Sequence, residues 1–392
     1  MRIPSRIYSR LYWRQIIKLM QNTRAVKFNV EDQPEFFKEL RQRVNQYFKE
    51  REISRHANLN MKFKTGFMIA LYIIPLSLLI AGVTQSFGWS FLMWVLMGLG
   101  MSGIGLSIMH DANHGAYSKN KNVNNALGFL VNLIGGYHVN WKIQHNVLHH
   151  SFTNIHEHDE DIQKAILRLT PDTKRKPIHR LQIFYAPMLY SLMTIYWFLS
   201  KDFEQLVRYR KKNLLGTQGK TFKQAMLEVS LYKLGYVIVT IVLPLAVGGQ
   251  VWWHFLIGFL AMHFICGMIL ALIFQPAHVI EETEFFHTDE DGSVENNWAI
   301  HQLKTTANFA NGSRFFSWFI GGLNYQVEHH LFPNVCHVHY RNLSPIVKAT
   351  AEEFNIPYHE HKTFYGAVKS HFTLLYKLGN GQYDIEHARA VA

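Results

Sequence analysis

Cysteine is almost missing from this chain: Cys266 and Cys336 are the only two in 392 residues. One lies inside an apolar run and the other beside a histidine cluster, so no disulfide framework is expected and a reducing compartment suits the chain. Acidic residues are also scarce, 28 against 40 Lys+Arg, for a formal net charge of +12. Residues 1–30 lack an apolar core, so no cleavable secretory signal is expected there. They are arginine-rich (Arg2, Arg6, Arg10, Arg14, Arg24) and read as a membrane-surface segment rather than a transit peptide. Charge of either sign is missing from residues 65–109. Basic flanks around uncharged runs follow the positive-inside pattern of membrane proteins, so the excess charge points to lipid headgroups and not to a nucleic-acid partner.

What is present is a set of apolar runs. Four are near the ~20 residues a bilayer core requires: roughly 67–83, 89–109, 231–247 and 251–274. The first pair is joined by Thr84–Gly88 and the second by Gly248–Gln250, both uncharged, which places both hairpin tips on the non-cytoplasmic side. Residues 126–137 are too short to cross. Residues 181–200 are long enough but contain Pro187 and several Tyr and Trp, and are assigned to the interface. Ahead of the first run, Phe36, Phe37, Leu40, Val44, Tyr47 and Phe48 recur at helical spacing, predicting an amphipathic helix over 34–52. Asp32 with Glu35 reads as its capping box and Pro34 suits its first turn. Beyond 275 the chain is polar and helical in pattern, with Ser344–Pro345 as a helix start.

The 23 histidines are unevenly placed. His110-Asp-Ala-Asn-His114 follows the second run, His145-Asn-Val-Leu-His149-His150 comes about thirty residues later, and Gln326-Val-Glu-His329-His330 follows the last run. His278 ends that last run. On an α-helix residues i and i+4 share a face, so His110 with His114, and His145 with His149, can each reach one metal. Adjacent histidines point about 100° apart, so the pairs 149–150 and 329–330 suit two ions better than one. A single such cluster is usually incidental. Several that border membrane runs on one common side are a functional site, because ionisable groups there are costly to keep. Imidazole serves zinc, copper, iron or nickel, so ligand type alone does not name the metal. Asp111 and Glu328 adjoin these histidines and could orient them. His156 and His158 read as solvated or supporting, His254 and His263 as helix contacts, and His138, His337 and His339 as structural.

HDANH, QHNVLHH and QVEHH, separated by paired apolar runs, resemble the three histidine boxes of membrane fatty-acid desaturases over about 65–355. Gln326 opening the third box, with HHLFP after it, resembles the front-end group, which places a double bond between an existing one and the carboxyl end. The resemblance implies an all-α multi-pass membrane protein: four transmembrane helices in two hairpins under a cytoplasmic helical cap. It divides the chain into a basic cytoplasmic segment (1–64), the desaturase domain (65–355) and a C-terminal cytoplasmic segment (356–392). It implies two irons on His110, His114, His145, His149, His150, His278, His329 and His330, with Gln326 at a ninth position. It also implies dioxygen, a fatty acyl substrate on coenzyme A or lipid, and two electrons from cytochrome b5 or a ferredoxin. A His-Pro-Gly-Gly haem motif does not occur, so a separate donor is expected. Trp298, Gln302, Thr305 and Thr306 are expected to line the acyl tunnel. A hydroxylase or ketolase would share these boxes. A metal-ion transporter would need ionisable groups at mid-span, which these runs lack apart from His263.

Overall fold

The computed structural model describes residues 26–164 and 166–384; the arginines of the first 25 residues and the last eight residues lie outside them. The architecture is predominantly helical, with two short parallel strand pairs, β1 (Lys27–Phe28) with β2 (Ser293–Val294) and β3 (Ala307–Phe309) with β4 (His359–His361). Helix α1 (Pro34–Glu50) buries Phe36, Leu40, Val44 and Phe48. It lies on the protein body rather than free: Arg43 grips Glu353 of a later helix at 2.7 Å through both nitrogens. The expected capping box is not formed. Gln33 is the N-cap, in a left-handed conformation, and Asp32 instead accepts from the Asn297 amide at 3.1 Å.

Among the described residues, five helices are long and apolar enough to cross a membrane, the four expected and the segment around 181–200: α2 (Leu59–Ile80), α3 (Phe87–Asn113), α5 (Pro177–Lys211), α6 (Phe222–Ala246) and α7 (Trp252–His278). Between α3 and α5 lies α4, residues 138–152. Helix α2 begins eight residues before the expected run, at an Asn58 side chain that accepts from the Met61 amide at 3.0 Å. The charge of Lys64 suggests a boundary there, but its side chain is buried at 1 % exposure. The core packs α3 between α2 and α7, and close contact depends on glycine: a Cβ on Gly100 would meet the Tyr72 amide nitrogen at 2.7 Å. Gly267 does the same for α5, where a Cβ would lie 2.5 Å from the Ser191 carbonyl oxygen.

The helices beyond α7 include α8 (Trp298–Lys304), α9 (Gln326–Leu331), α10 (Tyr340–Glu353) and α11 (Phe364–Asn380). Helix α10 starts at Tyr340, so Ser344 and Pro345 fall inside it rather than at its start. Its apolar side packs with α1, α8 and α9 in one cluster that includes Phe36, Leu303, Val327 and Leu343. That cluster fixes the helix carrying the third histidine box.

Candidate metal centre

Each histidine stretch is delivered by a helix end. His110 and His114 close α3, directly after a π-helical turn at Ile104–Ile108. His278 is the last residue of α7, and His329 and His330 lie in α9. The second stretch is not α-helical: Ile143–His149 is a π-helix, whose wider turn carries five residues rather than four between hydrogen-bonded groups. This changes the expected pairing. His145 lies with His110, His114 and His329, their ligand atoms within 4.8 Å of one another, while His149 lies with His278 and His330. His150 joins the two groups, with its Nε2 2.9 Å from that of His329 and 3.2 Å from that of His145.

Four of the ring nitrogens facing outward have a partner. His278 Nδ1 donates to the Thr305 carbonyl at 3.1 Å, and since a carbonyl only accepts, its Nε2 carries a lone pair. His330 Nδ1 lies 2.8 Å from Gln302 Oε1, His149 Nδ1 3.0 Å from Asp159, and His329 Nδ1 3.3 Å from the Tyr340 hydroxyl. Facing inward, Nε2 of His114, His149, His278 and His330 are buried without a hydrogen-bond partner. Burial and neighbouring histidines push His114, His145, His150, His329 and His330 well below the usual imidazole range, so they are neutral donors. His149 is the exception: burial lowers it, but the Asp159 and Asp161 carboxylates together outweigh burial and raise it. Ring nitrogens meeting at 2.9–3.2 Å repel unless a proton or a cation sits between them, and a metal ion would satisfy several at once. All-imidazole donors with carbonyl and carboxylate groups behind them fit a transition metal such as iron.

Residues expected to support the site divide. Asp111 pairs with His337 at 2.8 Å and stands 3.8 Å from His110. Glu328 is turned away from the histidines: its carboxylate accepts from Asn308 and from the Tyr358 hydroxyl, both at 2.8 Å, and burial lifts it to about 7. Gln326 reaches the His278 side chain. Trp298, Gln302 and Thr305 stand behind the histidines: Gln302 and Thr305 hold imidazoles, and the Trp298 indole donates to the His150 carbonyl at 3.3 Å. His156 and His158 stay outside, while Asp159 and Asp161 of the same acidic stretch come within 4.0 Å of His149. His263 contacts the Tyr236 and Thr194 hydroxyls between helices. Sequence reasoning missed Trp141, one helical turn before His145, whose ring lies 4.5 Å from that of His145.

Asp159 has the clearest measurable consequence. One oxygen accepts from the Asn154 amide and faces His149, and the other accepts from the Asp161 amide, so Asp159→Asn removes the charge and also turns one of two acceptors into a donor. Metal affinity is expected to fall about 10–100-fold, read by chelator titration of purified protein; unchanged affinity would show that the carboxylate does not tune His149.

The fatty acid desaturase family model matches residues 87–362. The sn-1 linoleoyl-lipid 6-desaturase of Synechocystis sp. is 36% identical over 348 residues, covering 88% of this chain and 95% of its own length. An acyl-lipid (8-3)-desaturase of Physcomitrium patens is 34% identical, covering 90% of this chain and 73% of its own. The Delta(5) fatty acid desaturase A of Dictyostelium discoideum is 31% identical, covering 88% and 75%. A histidine cage capable of holding metal, carried on apolar helices and matched along nearly all of its length by such relatives, places the chain in the fatty acid desaturase family, among the oxidoreductases that act on acyl chains.

Proposed function

We propose that the chain makes a cis double bond of the front-end type in a lipid-linked fatty acyl chain, at two irons held by His110, His114, His145, His149, His150, His278, His329 and His330. The observation that carries this reading is the division of the cage into two histidine groups joined by His150, His329 and His330. Bound iron, with dioxygen and two electrons from a cytochrome b5 or ferredoxin, supplies the oxidising power that no side chain has. The protein's part is positional. Thr305, Gln302, Asp159 and Tyr340 fix the rings, and the buried walls keep bulk water from the reacting carbons. Front-end chemistry acts only a few bonds from the polar end of the acyl chain. A polar cleft of about 580 Å³, bordered by His114, Lys119, Lys121 and Lys142, supports that reading by bringing a polar mouth to the edge of the cage.

The same reading sets the topology. Histidines that meet in one cage share one side of the membrane, so the chain crosses an even number of times between His150 and His278. Of α5, α6 and α7, two therefore cross. Helix α5 is assigned to the interface, supported by contacts at both of its ends with segments on the cage side. Gln182 donates to the Leu375 carbonyl at 2.6 Å, and Gln205 donates to Gln144, the neighbour of His145, at 2.5 Å. The basic, cap-bearing side is then cytoplasmic.

The test is product analysis by gas chromatography–mass spectrometry in a host lacking polyunsaturated fatty acids, fed linoleic acid and supplied with a cytochrome b5 or a ferredoxin. Wild type is expected to yield a trienoic acid with its new bond on the carboxyl side, and His149→Ala none. A hydroxylated product would replace this reading with that of a hydroxylase. Purified protein without iron would overturn the ligand assignment.

A further inference from the structure

Outside the cage, one buried polar chain has no part in the function so far. Lys64, 1 % exposed in the second turn of α2, places its Nζ 2.8 Å from His337 Nε2. The opposite ring nitrogen, His337 Nδ1, lies 2.8 Å from Asp111 Oδ2, which the His337 backbone amide also approaches at 3.1 Å. The other carboxylate oxygen, Oδ1, is 3.8 Å from His110 Nδ1, a buried atom with no other partner. All four side chains are nearly inaccessible.

The direction of this chain is fixed by chemistry. An ammonium only donates, so His337 Nε2 must accept and its proton must sit on Nδ1, where it donates to Asp111. Asp111 accepts on Oδ2 and holds its anionic Oδ1 3.8 Å from His110 Nδ1, an electrostatic bias toward a proton on that nitrogen, which leaves His110 Nε2 bare on the inward side, 3.1 Å from His145 Nε2. We infer that Lys64 and His337 are positioning residues: through Asp111 they select the ring tautomer and orientation in which His110 can bind metal. This rests on the proposed ligand set. It extends the site from the cap into the first membrane helix, because Lys64 comes from α2 and His337 from the segment after the third box. Asp111 and Cys336 complete a group that could itself hold a cation. The Lys64 ammonium puts a fixed positive charge on the other ring nitrogen of His337, Nε2.

Iron retention separates this role from simple packing. Wild type, Lys64→Met, His337→Leu and His337→Gln would be purified in detergent and dialysed against a chelator. Iron per chain would be followed by mass spectrometry and the melting temperature by intrinsic fluorescence. Glutamine can accept from Lys64 and donate to Asp111, so His337→Gln keeps the chain's direction while leucine only fills the space. Lys64→Met and His337→Leu are expected to lose one iron per chain about tenfold faster than wild type and to keep the second, with His337→Gln close to wild type. Equal behaviour of the leucine and glutamine variants, or release of both irons together with a collapse in melting temperature, would overturn the inference. Iron-free wild type would instead remove the ligand assignment beneath it.

Discussion

His329→Ala is expected to abolish desaturation outright. His329 belongs to the group with His110, His114 and His145 and also to the joining group with His150 and His330. Its Nε2 is 2.9 Å from that of His150. Removing it takes a donor from one half of the cage and from the group that joins the halves, and alanine leaves a void that no neighbour can fill with a lone pair. Product should fall by more than about 100-fold, beyond the loss expected from removing a group behind a ligand. The contrast is Tyr340→Phe, which deletes only the hydroxyl 3.3 Å from His329 Nδ1 and is expected to cost no more than about tenfold. Both are read by fatty-acid analysis normalised to membrane protein, with iron per chain measured on purified samples. Substantial product from His329→Ala would mean that the cage does not do the chemistry.

The second large effect concerns stability. Lys233 of α6 has its ammonium 2.5 Å from Asp202 Oδ2, 2.6 Å from the Gly135 carbonyl and 2.8 Å from that of Trp197. Asp202 also accepts from Asn140 at 3.2 Å and from the Trp197 indole at 3.1 Å. Three stretches of chain, 135–140, 197–202 and α6, thus meet on one buried ion pair. In Lys233→Met the carboxylate stays buried without its cation, at a cost of about 3–5 kcal/mol. Lys233→Met combined with Asp202→Asn removes both charges and is expected to recover most of the loss, since the penalty comes from the unpaired ion rather than the missing pair. Thermal melting in detergent measures both, and a single variant as stable as wild type would show that Asp202 takes up a proton in compensation.

Much of the site was legible because metal ligands must be close in space and histidine is recognisable by type. His110 with His114 follows from helical geometry and is found in that arrangement, and His329 and His330 fall in different groups while also meeting around His150. His145 with His149 does not follow, because a π-helix replaces the α-helix on which the spacing argument rests, and nothing in the residues 143–149 announces that wider turn. Supporting groups were harder to read. Glu328 adjoins two histidines in sequence yet faces Asn308 and Tyr358. Asp159 is ten residues beyond His149 and faces it. Proximity along the chain fixes little about direction in space. Helix limits erred where charge served as a boundary, as at Lys64, whose cost of burial is offset by a partner 273 residues away.

The cage also orders events in the making of the protein. Six of the eight proposed ligands precede residue 279, but His329 and His330 emerge from the ribosome only after all five apolar helices have been synthesised. Both groups therefore stay incomplete until the membrane part is finished. On the proposed ligand set, metal loading is a late step in maturation rather than a nucleus for folding. The inserted, metal-free protein must hold its shape by helix packing and by ties such as Lys233–Asp202.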